Sequence, residues 1–345
     1  MAILYLNRKD TTITREGAHL RIRQHTPEKE EKTDHVPLHT ISGVVVVGEP
    51  SMTFPALSCF IGRQVPVTFL TSTGRWRGLL ETCADNYAVR RKTQYHLSGN
   101  NAFFLPMAKS ILSAKLYNAR RAIQRLVANR PGWNWPETED LHHEKQLKWL
   151  SQHLERAATL TALRGMEGLA AVHYFALLRH FFPAGIPFEK RRKHPAKDPA
   201  NALLSWAYAL MLSEVTIALR LHGLDPAMGL LHAPSNRSPA LALDLMEPFR
   251  PCMDLLVLNL FNHRILRADT HFQIMPSGAV HLNEAGRRRF FQSYEVALTR
   301  SFKPSKDATT TTLRGLIDQQ VSLFLHQLEA FPVLSPSSKA FFHLP

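Results

Sequence analysis

The chain has 345 residues, 45% of them hydrophobic and 20% charged, which excludes a disordered or fibrous protein and leaves room for two domains with buried cores. Lys and Arg total 42 against 28 Asp and Glu, giving a formal charge of +14 and a pI near 10.0, a field that favours polyanionic partners. Three scattered cysteines, Cys59, Cys83 and Cys252, exclude a disulfide framework or a zinc ribbon, and no apolar run of about 18 residues is expected to span a bilayer.

Residues 1–6 are apolar but too few for a signal peptide, and Arg8 follows, so a cytoplasmic protein is expected. Short β-branched or alternating runs at 3–6, 19–23, 43–48 and 65–70, separated by Asp, Gly, Pro and charged turns, predict the strands of small sheets. The charge cluster at 27–32 reads as a solvated loop, and Leu57 and Ile61, four apart, suggest a short helix within 51–62. Ser98-Gly99-Asn100-Asn101 marks a linker. Beyond it the period becomes helical over 105–127, then, after a loop around 129–133, from about 142 to 182. A helix over 198–222 has Asp198 as N-cap, Pro199 at its first position and Gly223 as its stop. Ser238-Pro239 repeats the start signal, and 254–266 reads as more helix. The predicted fold class is α+β. A small N-terminal β-rich domain (1–97) and a linker (98–104) precede a larger all-α domain (105–330) and a tail (331–345).

Glu167 interrupts an apolar helical stretch and is flanked by Gly165 and Gly168. Glycine inside a helix costs about 1 kcal/mol against alanine, so the pair suggests close approach of another backbone or a ligand. A carboxylate there must be paired, protonated or metal-bound; an ion pair with Arg164 or a nearby helix is the plainer alternative. His232 opens the turn-rich segment 232–239; among 18 histidines, one beside leucines is more often structural than a ligand. Asp244 and Glu247, three residues apart, share one face of a helical turn and need a compensating cation, an Arg or a metal. Pro248 disfavours helix at Glu247 and could aim that carboxylate at a site. Oxygen ligands with one imidazole suit Mg2+ or Mn2+ better than structural zinc. Such a metal polarises a phosphoryl oxygen during in-line displacement.

Four strings carry a resemblance: Arg164-Gly165-Met166-Glu167-Gly168, the Gly-Leu-Leu-His ending at His232, the run from Ser238 through Asp244 and Glu247 to Pro251, and Lys197-Asp198-Pro199-Ala200-Asn201-Ala202-Leu203-Leu204-Ser205. In this order, through roughly residues 105–300, they resemble the CRISPR-associated integrase family called "Cas one". The resemblance implies that Glu167, His232 and Glu247 are catalytic and bind a divalent metal, Mg2+ or Mn2+. It implies that Asp244 orients the site or stands as an alternative ligand. It further implies a DNA endonuclease/integrase that inserts a prespacer fragment into the CRISPR repeat by transesterification. Its partners would be a second copy of the chain, docked through the β-rich domain, and the small protein "Cas two".

The basic loop 189–194 leads into the Asp198 cap, so Arg191, Arg192, Lys193 and Lys197 are candidate phosphate contacts. Arg237 and Arg250 bracket the His232–Glu247 segment, and Arg287 and Arg288 are further candidates. Phosphate contacts position DNA without reading it. Two other readings stay open: a metal-dependent nuclease acting on branched DNA, and a non-catalytic DNA-binding scaffold whose acidic and His residues are structural.

Overall fold

Alternating apolar positions in the first 80 residues build two small sheets with a core between them. The structure, a computed structural model, describes residues 2–8, 10–24, 32–80, 87–192, 195–233, 238–304, 309–332 and 341–344. The N-terminal elements are β1 (Ala2–Leu6), β2 (Thr11–Glu16), β3 (His19–Gln24), β4 (Lys32–Pro37), β5 (Ile41–Val47), β6 (Ser51–Met52), α1 (Phe54–Gly62), β7 (Val67–Leu70) and β8 (Trp76–Leu80). One sheet runs β1-β5-β7-β8 and the other β4-β3-β2-β6. β5 explains its own valine run. Val44 and Val46 join Ile13, Leu20 and Phe60 between the sheets, while Val45 and Val47 face the opposite way, into the helical core. A strand buried on both faces reads as continuously apolar.

The helical part comprises α2 (Ala88–His96), α3 (Asn101–Ala128), α4 (Thr138–His153), α5 (Leu160–Leu178), α6 (Pro199–Leu221), α7 (Ala240–Met246), α8 (Arg250–Asn262), α9 (Ala268–His271), α10 (Glu284–Thr299) and α11 (Leu313–Ala330). It also holds one antiparallel hairpin, β9 (Phe272–Ile274) with β10 (Val280–Leu282). The α+β class expected from the sequence is the class observed.

Local capping sets the helix boundaries. Asn100 Oδ1 accepts from Ala102 N at 2.9 Å, so α3 starts at Asn101, inside the stretch read as a linker. The pattern over 142–182 is two helices, because a 3-10 turn at Leu154–Arg156 ends α4 and the Thr159 hydroxyl caps α5. Asp198 caps α6 by accepting from Asn201 N at 2.7 Å. Gly223 ends that helix region at φ +74°, where a Cβ would also stand 2.1 Å from the Tyr87 ring. By length and composition α6 could cross a membrane, which corrects the expectation that no such stretch exists; 83% of its apolar window is buried inside the protein, as in a core helix.

Candidate metal and nucleic-acid site

Lys115 on α3 and Glu167 on α5 meet across two packed helices, the ammonium bonded to Glu167 Oε1. The same Nζ lies 2.6 Å from Glu247 Oε2. Two carboxylates thus share one cation, which is what removes their mutual repulsion. Arg164, the other candidate partner of Glu167, instead donates to the Leu231 carbonyl at 2.6 Å and pins the loop that carries His232. Around Gly165 and Gly168 no described atom outside the helix comes within 4 Å of where a Cβ would stand, so the face beside Glu167 is open.

Glu247 begins a 3-10 turn, Glu247–Phe249, between α7 and α8. Its dihedrals stay helical, φ −54° and ψ −44°, despite the following proline. Pro248 and Pro251 both sit at the starts of their segments, where a missing N–H leaves no bond unmade. The side chain is 3% exposed, and Arg250 Nε stands 2.9 Å from Oε1. Burial alone would raise this carboxyl; Arg250 and Lys115 outweigh it and hold the pKa at about 2. Oε2, buried, is met by the Lys115 ammonium at 2.6 Å.

Asp244, fully buried, is used differently. Its Oδ2 accepts from Leu230 N at 2.6 Å and Leu231 N at 3.0 Å, and Oδ1 accepts from His232 N at 3.0 Å. The fourth contact is His232 Nδ1, 2.6 Å from Oδ1. This bond raises the His232 pKa against the opposing effect of burial. With Nδ1 engaged, Nε2 is the ring nitrogen left to the cavity, the arrangement in which a carboxylate fixes the tautomer of a ligating histidine.

Glu167, His232 and Glu247 all line one cavity of about 500 Å³, together with Lys115 and Arg250. As they stand, no three His, Cys, Asp or Glu side chains among the described residues are close enough together to hold a metal ion; Lys115 takes the place between the two glutamates. The donor set nevertheless fits a hard divalent cation: two carboxylates and one imidazole lining the same cavity.

Deeper in the cavity, Tyr174 Oη donates to Asp254 Oδ2 at 2.9 Å and Tyr208 Oη bonds Oδ1. Burial pushes Asp254 up to about 6, against those two bonds. The Arg250 guanidinium lies 4.7 Å over the Tyr208 ring and that of Arg191 5.3 Å. Sequence reasoning missed Lys115, Tyr174, Tyr208 and Asp254. The only available signal was a lone acid inside the apolar run 253–261.

The remaining basic candidates scatter. Arg191 is held by Asn201 Oδ1 at 2.9 Å and Ser205 Oγ at 3.0 Å, so it is built into the start of α6 as well as lining the cavity. Arg192, exposed, pairs with Glu189 at 3.1 Å, and Lys197 is exposed. Arg287 donates to the Leu282 carbonyl at 3.0 Å. Arg288 lines a second cavity of about 640 Å³ with Arg8, Arg289 and Glu284. Lys193 and Arg237 lie outside the described residues.

The fold and these groups define a basic α+β protein with two glutamates and a carboxylate-fixed histidine opening on a cavity among its central helices. The chain belongs to the CRISPR associated protein Cas1 family, whose family model matches residues 4–296. A CRISPR-associated endonuclease Cas1 of Thermus thermophilus is 36% identical over 294 residues, covering 83% of this chain and 85% of that protein. Among solved structures, a casposase bound to integration product superposes with a TM-score of 0.86 at 22% identity, covering 100% of this chain and 95% of that one. A chain of a Cas6-RT-Cas1–Cas2 complex gives 0.82 at 24% identity, and this chain spans 36% of its length. The two structural likenesses show the fold.

Proposed function

We propose that this protein is a metal-dependent DNA endonuclease/integrase that inserts new spacers into a CRISPR array by transesterification. The observation that carries the reading is the convergence of Glu167 and Glu247 on one cation in the cavity that His232 also lines. In this reading Glu167, Glu247 and His232 Nε2 hold Mg2+ or Mn2+, and Asp244 orients the histidine rather than ligating, since its contacts are already spent on the 230–232 backbone and the ring. The bound cation would supply Lewis-acid stabilisation of charge on the scissile phosphate. Arg250 fixes Glu247, and Lys115 keeps the two glutamates together and would shift aside when the metal enters.

The reaction exchanges one phosphodiester for another. The 3′-hydroxyl oxygen of a DNA fragment forms a bond to a repeat phosphorus as the bond to the leaving 3′-oxygen breaks. The proton lost from the attacking hydroxyl is matched by one gained at the leaving oxygen. DNA, a Cas2-type partner and a second copy docked through the N-terminal sheets are the proposed assembly, in a reducing cytoplasm. The Cas1 name of the family and the endonuclease name of its relatives support the DNA chemistry; the charge of +14 supports the substrate class.

A strand-transfer assay on branched DNA tests it. Glu167→Ala is expected to lower the rate by at least 100-fold, and chelation to abolish activity until Mg2+ or Mn2+ is restored. Full activity in that variant would remove Glu167 from the site. New junctions mark a joining enzyme, free ends only mark a nuclease, and neither product marks a scaffold.

A further inference from the structure

Two buried amides hold the turn that carries Glu247, and each has its other end on the same distant piece of chain. Asn118 lies on α3, one turn beyond Lys115. Its Nδ2 donates to the Pro248 carbonyl at 2.7 Å and to the Phe342 carbonyl at 2.9 Å. Its Oδ1 accepts from Leu344 N. Gln320, on α11, donates to the Leu245 carbonyl at 2.8 Å and accepts from Phe342 N at 3.2 Å. Leu245 and Pro248 stand on either side of Glu247. The Phe342 ring stacks on Phe249, centroids 5.2 Å apart and planes within 10°. Phe341, Phe342 and Leu344 are buried, so this contact is part of the core. Gln320 and residues 341–344 lie past the stretch matched by the family model, which ends at 296.

We propose that residues 341–344 are a positioning segment for Glu247, completing the two amide bridges that set the aim of its carboxylate. The proposal rests on the reading of Glu247 as a metal-holding group. Without the segment, Asn118 Oδ1 and Gln320 Oε1 lose their backbone donors inside the core, where an unpaired polar atom is costly. Each amide can then rotate to find another partner, and the carbonyls of Leu245 and Pro248 lose their fixed donors with it. Phe249 loses the ring that closes its face. A carboxylate displaced by a fraction of an ångström no longer matches the near-octahedral geometry that Mg2+ demands. Loss of such outer partners costs about 10–100-fold in metal affinity or activity.

The test compares the full chain with a variant ending at residue 340, and with Phe342→Ala as a milder change should the shortened chain fold poorly. Mn2+ affinity is read by paramagnetic resonance, binding of a branched DNA by anisotropy, and strand transfer by product analysis. The expected result is Mn2+ affinity and turnover lowered about 10–100-fold, with DNA affinity within about twofold. A synthetic peptide of sequence 340–345 should restore much of the loss in the shortened chain. Ile13→Ala, in the separate cluster between the N-terminal sheets, serves as a control for destabilisation alone. Loss of Mn2+ affinity no greater than in a control of equal melting temperature would overturn the proposal. Glu247→Gln is run alongside. If it binds Mn2+ like the full chain, the reading of Glu247 fails and the proposal with it; if it loses binding while the shortened chain keeps it, only the segment's role is refuted.

Discussion

Three acidic residues within eleven positions, Asp244, Glu247 and Asp254, are all buried yet do different work. Asp244 meets four donors, three of them backbone N–H groups of one loop, and so behaves as a structural staple. Glu247 meets two cations, which keeps it ionised far below neutrality. Asp254 meets two tyrosine hydroxyls, which are weaker compensation for burial, and its pKa rises to about 6 from 3.8. Between those values the folded state keeps a proton that the unfolded chain has released. The stability linked to this proton is therefore fully present below about pH 4 and is lost as pH rises through about 6. A shift of about two units corresponds to about 3 kcal/mol. Asp254→Asn cannot ionise, so urea unfolding should show the variant gaining on the wild type by about that amount between pH 4 and pH 7. A difference independent of pH would mean that Asp254 is ionised throughout.

Between elements, the largest ionic junction among the described residues lies away from the cavity. Arg314 on α11 makes paired contacts with Glu214 of α6, at 3.0 and 2.8 Å, and with Glu295 of α10, at 2.8 and 2.9 Å. Tyr5 of β1 adds its hydroxyl to Glu295 at 3.2 Å, so one guanidinium links three helices to the N-terminal sheet. Removing one member of a buried pair strands the other's charge, at about 3–5 kcal/mol. Arg314→Leu should lose about that much by urea unfolding, and adding Glu214→Gln should recover part of it. No recovery would place the loss in packing, not in the stranded charge.

The same scale explains what the sequence could and could not disclose. Helix α6 was legible at both ends because Asp198, Pro199 and Gly223 act locally. β2, β4 and β8 were missed because each buries little: β4 (Lys32–Pro37) has no fully buried residue, and β2 has its one core isoleucine, Ile13, in a polar run. Glu167 was visible as an acid out of place. Its partner Lys115 was not, since a lysine in an amphipathic helix looks solvated until the fold brings together residues 52 apart. The different settings of Asp244 and Glu247 depend on where three N–H groups of residues 230–232 point, which no spacing encodes.

For the whole molecule, the net charge of +14 is a statement about affinity, and its parts are not equivalent. A cation that neutralises a DNA phosphate releases a counterion, adding about 0.9 to the slope of log affinity against log salt. A cation tied into the protein adds little to that slope, whatever its sign contributes to the field. Arg192 and Lys197 are exposed, and among the described residues the Arg192 side chain pairs with the exposed Glu189. Arg191, two hydrogen bonds deep in the start of α6, is mostly structural. Replacing Arg192 and Lys197 together by alanine should therefore flatten the salt slope by about 2, equally for all duplex sequences, with the melting temperature unchanged. Arg191→Ala should instead lower the melting temperature, because Asn201 and Ser205 each lose one partner at the start of the core helix. A double variant with an unaltered slope would move the phosphate track elsewhere on the surface, with the Arg8, Arg288 and Arg289 cavity the next place to measure.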